Sequence, residues 1–136
     1  MIRQKVPKSS VHEVRRERKK SLYTREMISL ITTLTQQEKI ISEIYITHVD
    51  ISKNSGILYV YCSTFKEPGE EVFLEVLSVL KLYKPSIRKA LASQLQSRHT
   101  PDIVFLYDKI KEKERRVTDL LEQVAHDLQS NNSVKE

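Results

Sequence analysis

Glycine is almost missing from this chain. Gly56 and Gly69 are the only two in 136 residues. A phosphate-cradling or dinucleotide-binding loop needs several glycines close together, so nucleotide chemistry of that kind is excluded. Cysteine is as scarce: Cys62 stands alone, so no internal disulfide forms and no paired-cysteine zinc site exists. Its mid-strand position suits a small core residue in a reducing compartment. His12, His48, His99 and His126 are scattered with no i, i+4 pair, which leaves no metal site to expect. No serine or threonine sits in a recognisable nucleophile context. The close carboxylates Glu70–Glu71 and Glu112/Glu114 fall at helix starts or on charged faces, where solvation explains them. No apolar run approaches the ~20 residues of a membrane span, and the basic N-terminus has no apolar segment behind it. The expectation is a cytosolic protein with no catalytic residues, no cofactor, no small-molecule substrate and no membrane contact. Carboxylates are absent locally as well: none occurs between Glu75 and Asp102.

What is present is positive charge on a modest core. At 39% hydrophobic and 30% charged residues, the chain buries one core and not two. A net charge of +5 and a pI of 9.3 favour an acidic partner such as nucleic acid. The carboxylate-free stretch holds Lys81, Lys84, Ser86, Arg88, Lys89 and Arg98 around Pro85. Proline inside a helix loses a hydrogen bond and clashes one turn back, at ~3 kcal/mol or more. As a first helical residue it fits without penalty. The sequence therefore predicts two helices meeting at Tyr83-Lys84-Pro85, with a cation-rich helix N-terminus as an anion site.

Taken in order, residues 1–10 read as disordered, with Ser9 or Ser10 available as a cap. Residues 11–128 read as one domain and 129–136 as a polar tail. Val11–Thr35 is helical, with Tyr23, Met27, Leu30, Ile31 and Leu34 on one stripe. Its first half is basic: Arg15, Arg16, Arg18, Lys19 and Lys20 form a candidate phosphate-contacting arm. Ile40–Ser52 reads as a strand. Ile44 and Ile46 hold one phase and Val49 and Ile51 the other, so an extra residue near Thr47–His48 is required. Ser52–Gly56 is a turn in which Asn and Gly supply positive φ. Ile57–Phe65 is the second strand, with Tyr59 and Tyr61 on the face opposite Leu58, Val60 and Cys62. Those tyrosines reflect strand propensity, a base-stacking surface or a protein contact. A helix to Tyr83 buries Phe73, Val76, Leu77 and Leu80, and its partner runs from Pro85 to Ser97. Ile103–Tyr107 is a third strand, short and apolar like an inner or well-covered one. Glu112–Leu128 is a last helix whose stripe needs a surface. The fold class is α+β, one three-stranded sheet with helices on one face.

Three stretches carry a resemblance. ITHVDISKNSGILYVYCSTF (Ile46–Phe65) resembles a strand, a "VS-x-D-x-x-x-A" turn and a "VYVS" strand. In PSIRKALASQLQSRHTPDIVFLYD (Pro85–Asp108), Ile87, Arg88, Leu91, Arg98, Pro101, Phe105 and Asp108 fall on the marks of "GFIR-x-x-L … R-x-x-P-x-L-x-F-x-x-D". RRVTDLL (Arg115–Leu121) resembles "RI-x-x-LL". These are patterns of the ribosome-binding factor A family, whose fold is a type II KH domain: α-β-β-α-kink-α-β with a three-stranded mixed sheet, plus a C-terminal helix. The resemblance spans roughly residues 10–125. It implies a monomeric, non-enzymatic assembly factor that binds free, immature 30S subunits and 16S rRNA near its 5′ end, assisting late maturation and rRNA processing. Two departures stand out. Tyr83-Lys84-Pro85 replaces the family's Ala-x-Gly kink, and Thr35–Lys39 replaces its "DPR-x-G" segment. The competing reading is a protein-interaction module that does not touch RNA.

Overall fold

A computed structural model describes residues 8–96 and 99–134. Helix α1 (Lys8–Leu34) leads through a 3₁₀ turn (Lys39–Glu43) into strands β1 (Ile44–Ile51) and β2 (Ile57–Thr64). Helix α2 (Gly69–Leu95), strand β3 (Asp102–Tyr107) and helix α3 (Lys109–Val134) follow. Helix α1 begins at Lys8, so Ser9 and Ser10 lie inside it rather than capping it. The expectation for residues 1–7 falls outside the described residues. At the other end α3 runs past the expected boundary at 129.

The sheet order is β1-β2-β3, with β1 antiparallel and β3 parallel to the central β2. The apolar β3 is therefore an edge strand, and of the two settings its apolar run suits it has the well-covered one: Ile103 and Phe105 are buried in the core. Helices α1 and α2 cover one face. Their stripes, Tyr23, Met27 and Ile31 from α1 and Phe73, Val76, Leu80, Ile87 and Leu91 from α2, meet Leu58, Val60 and Cys62 of β2 and Ile103 and Phe105 of β3 in one buried cluster. Burial pushes the Cys62 thiol up to about 12, so it behaves as an inert core residue.

The slip of phase in β1 is a real bulge. Ile46 pairs with Cys62 and His48 with Tyr61, leaving Thr47 as the extra residue. Ile44 and Val49 thereby both reach the core, although five positions apart. Two local expectations change. Residues 40–43 are not strand but a 3₁₀ turn, whose period of three lets Ile41 and Ile44 both be buried where the alternation of a strand would set them on opposite faces. In the hairpin turn, Ser55 takes the positive φ (57°), not Asn54 or Gly56. The Asn54 side chain is instead an acceptor, taking the Gly56 N–H at 3.0 Å, while the Ser52 hydroxyl oxygen accepts from Ile57 N–H at 2.9 Å.

The predicted pair of helices is a single helix. Helix α2 runs through Pro85 without a break. Leu80 and Ile87 are both buried against the same core and stand two turns apart, so packing on either side of the proline keeps the helix continuous through it. Pro85 offers no N–H to the Lys81 carbonyl one turn back, and Lys81 is an exposed residue.

Helix α3 has a different setting. Its stripe, including Val117, Leu121, Val124 and Leu128, is 47–63% exposed and meets no surface among the described residues. The helix is held at its start. The Arg115 guanidinium donates to Ser63 Oγ (2.9 Å) and to the Thr64 carbonyl (2.6 Å). Beside this anchor, Gly69 opens α2 against Tyr107. A Cβ at Gly69 would lie 2.2 Å from the Tyr107 hydroxyl and 2.9 Å from Thr64 Oγ1. Gly69→Ala is therefore expected to destabilise by about 1–2 kcal/mol through displacement of Tyr107. Urea unfolding with an unchanged slope checks it.

Candidate nucleic-acid interface

The strand register defines one end of the sheet. Ile51 pairs with Leu58 and Ile57 with Asp102, so the Ser52–Gly56 turn and the start of β3 lie together, joined by Asp102 N–H donating to the Gly56 carbonyl (2.9 Å). Both basic segments reach this end. Arg16 donates to the Ile51 carbonyl and pairs with Asp50 at 3.5 Å. Arg88 donates to the Thr100 carbonyl at 3.1 Å, just before β3. Helix α1 leaves this end, and α2, which starts beside Tyr107, arrives at it. Two antiparallel helices thus bring the N-terminal half of one and the C-terminal half of the other to the hairpin turn.

Not every predicted cation is free. Lys20 Nζ lies 3.1 Å from Asp50 and 3.4 Å from Glu17. The Lys20 ammonium, with the Ile51 N–H and Arg16, holds the Asp50 carboxyl below the usual carboxylate range against the opposing effect of burial, and Asp50 raises Lys20 in return. Arg16 and Lys20 therefore fasten α1 to β1. Arg15, Arg18 and Lys19 are exposed and pair with no described residue. A groove of about 530 Å³ between α1 and the turn is lined by His12, Arg15, Arg16, Lys19 and Lys53. Lys53 was not singled out from the sequence; its signal is a lone cation in a hairpin turn that faces a basic helix.

On α2, Lys84 and Arg88 wall a cleft of about 180 Å³ with Pro85 and Asp102. Lys81, Ser86 and Lys89 are exposed on the same helix. Arg98 lies outside the described residues. The helix N-terminus expected at Pro85 is absent because α2 is continuous, so anion binding there falls to side chains. Tyr83 turns elsewhere: its hydroxyl donates to Glu38 at 2.9 Å, tying α2 to the segment before β1 and raising the phenol. Among the described residues no group of three His, Cys, Asp or Glu is placed to hold a metal, and no helix is long and apolar enough to cross a membrane.

Residues 15–121 match the model of the family described as ribosome-binding factor A. The ribosome-binding factor A of Syntrophomonas wolfei is 33% identical over 64% of this chain and 70% of its own length. That of Nostoc punctiforme is 30% identical over 60% of this chain and 58% of its own. The solution structure of a putative ribosome-binding factor A from Thermotoga maritima superposes with a TM-score of 0.53 at 26% identity, covering 67% of this chain and 88% of that one. The crystal structure of ribosome-binding factor A from Thermus thermophilus gives 0.57 at 23% identity, covering 68% and 94%, and so shares the fold.

Proposed function

The chain belongs to the ribosome-binding factor A family, and on that premise we propose that it binds free 30S ribosomal subunits through 16S rRNA near its 5′ end. It assists their late maturation and rRNA processing as a cytoplasmic, monomeric, non-catalytic factor. The observation that carries this reading is the meeting of two basic segments at one end of the sheet. Arg15, Arg18, Lys19, Lys84 and Arg88 are the phosphate-binding set, joined by Lys53, with Lys81, Ser86, Lys89 and Arg98 flanking. Arg16 and Lys20 hold the arm in place.

Side-chain cations without aromatic neighbours recognise the backbone of RNA rather than its sequence. With about five phosphates neutralised, log K for free subunits is expected to fall against log salt with a slope of roughly −3.5 to −4.5. Pelleting with purified subunits across a salt series measures it, and a slope near zero overturns the interface. On a sucrose gradient of cell lysate the protein is expected with free small subunits and their precursors, and not with whole ribosomes. A protein that stays at the top in low salt instead favours the protein-interaction reading, for which the exposed stripe of α3 is the natural surface.

A further inference from the structure

The sheet face turned away from α1 and α2 carries more aromatic surface than strand propensity asks for. Tyr45, Tyr59, Tyr61 and Phe65 belong to it, four of the nine Tyr and Phe residues in the chain. Register sets two rows across the sheet: Asp50–Tyr59–Val104 and His48–Tyr61–Leu106. In the second row the His48 ring stacks on Tyr61, with centroids 4.2 Å apart and planes within 10°. The bulge at Thr47 is what gives His48 this phase. The Thr47 hydroxyl donates to Asp108 at 2.6 Å, and Asp108 Oδ2 lies 3.3 Å from His48 Nδ1, so the ring is held in orientation as well as stacked.

Strand β1 is at the sheet edge, so the second face of the His48 ring looks outward. It meets a groove of about 440 Å³ between β1 and the first turns of α3, with Tyr45 and Thr47 on one side, Ile110, Lys111 and Glu114 on the other, and the already bonded Asp108 completing the lining. Lys111 is exposed there and pairs with no described residue, while Lys109 and Lys113 are exposed on the same helix outside the groove's lining. A fixed, half-exposed π face beside an unpaired cation is the chemistry that holds single-stranded RNA, where bases stack on rings and phosphates meet lysines. Lys111 and Glu114 disfavour a purely apolar protein partner.

We propose that this face is a second RNA site, at which an unpaired stretch of RNA stacks a base on the His48–Tyr61 pair and places a phosphate on Lys111. It lies at the opposite end of the sheet from the basic interface and rests on the reading of the chain as an RNA binder. The test uses the whole chain and three probes: a short unstructured oligoribonucleotide, its abasic counterpart of equal length, and free small subunits. His48→Ala is expected to weaken oligoribonucleotide binding about tenfold, the scale of one lost stack. His48→Phe, which keeps a ring, is expected to restore it. The abasic strand binds more weakly and does not distinguish the variants. If His48→Ala binds the oligoribonucleotide like wild type while both bind subunits, the second site is overturned and the basic interface stands. If wild type binds no subunits, the basic interface falls whatever the oligoribonucleotide does. Loss of subunit binding by His48→Ala with unchanged oligoribonucleotide affinity marks a protein contact and overturns the proposal.

Discussion

Lys84→Glu combined with Arg88→Glu is expected to weaken binding to free small subunits about 100-fold near 0.1 M salt. The size follows from counterion release. Each phosphate contact contributes about 0.7–0.9 to the salt slope, which near 0.1 M is roughly five- to eightfold in affinity. Two lost contacts give roughly 25- to 60-fold, and two introduced carboxylates facing phosphates add repulsion. The slope should shallow by about 1.4–1.8. Both side chains are on a solvent-facing part of α2, and neither pairs with a described carboxylate. The change removes the Arg88 bond to the Thr100 carbonyl and sets two carboxylates in the cleft that Asp102 lines. A loss of about 1 kcal/mol in stability is therefore expected. Binding compared at a temperature where thermal unfolding shows both proteins folded separates lost binding from lost structure. Unaltered affinity and slope would remove α2 from the interface. Arg16→Ala offers the contrast. Its guanidinium holds the Ile51 carbonyl and Asp50, so its loss loosens the α1 arm and should leave the slope nearly as it was.

The limits of sequence reading lie in the same residues. Phase was informative wherever it was local. The clash between Ile46 and Val49 located the bulge at Thr47 because a strand has only two faces. The same logic, carried across Pro85, would have kept α2 whole: Val76, Leu80, Ile87 and Leu91 stay in helical phase on both sides, and all four are buried. The intrinsic penalty of proline opposes that continuity, and tertiary packing prevails over it. The division of the basic arm was not legible. Arg16 and Lys20 look like Arg15 and Lys19, and Asp50, which separates them, stands thirty or more positions away. Positions 16 and 20 are one helical turn apart, which places them on the sheet side together, but nothing local says a carboxylate waits there. The stripe of α3 was visible, whereas its lack of a partner surface is a property of the whole assembly of elements and has no sequence signal.

Asp108→Ala is expected to produce the largest loss of stability of any single polar substitution considered. Asp108 is 5% exposed, at the junction of β3 and α3. One oxygen accepts the Lys111 N–H at 2.9 Å as the N-cap of α3, and the other accepts the Thr47 hydroxyl at 2.6 Å across the bulge. A lost cap costs about 1 kcal/mol, and a lost hydrogen bond to a buried charge about 1.5–3 kcal/mol. These overlap, because the Thr47 hydroxyl can turn to the Tyr61 carbonyl 3.2 Å away. A total of about 2–3 kcal/mol, or roughly 10 °C in Tm, is the expected result. Its pH dependence is a sharper test than its size. Burial raises the Asp108 carboxyl, but the hydrogen bonds from Thr47 and the Lys111 N–H, with His48 close by, outweigh it and hold the group below its ordinary value. A carboxyl depressed in the folded state contributes its full stabilisation above the unfolded pKa, near 3.9, and loses it as pH falls through the lower folded value. The gap between wild type and Asp108→Ala should stay constant from neutrality to about pH 5 and narrow below about pH 4. Asp108→Asn keeps a capping oxygen but loses the charge, so it should fall between the two at neutral pH and converge on wild type in acid. A gap that persists unchanged at pH 3 would mean that the packing of Asp108, rather than its charge, joins the bulge to α3.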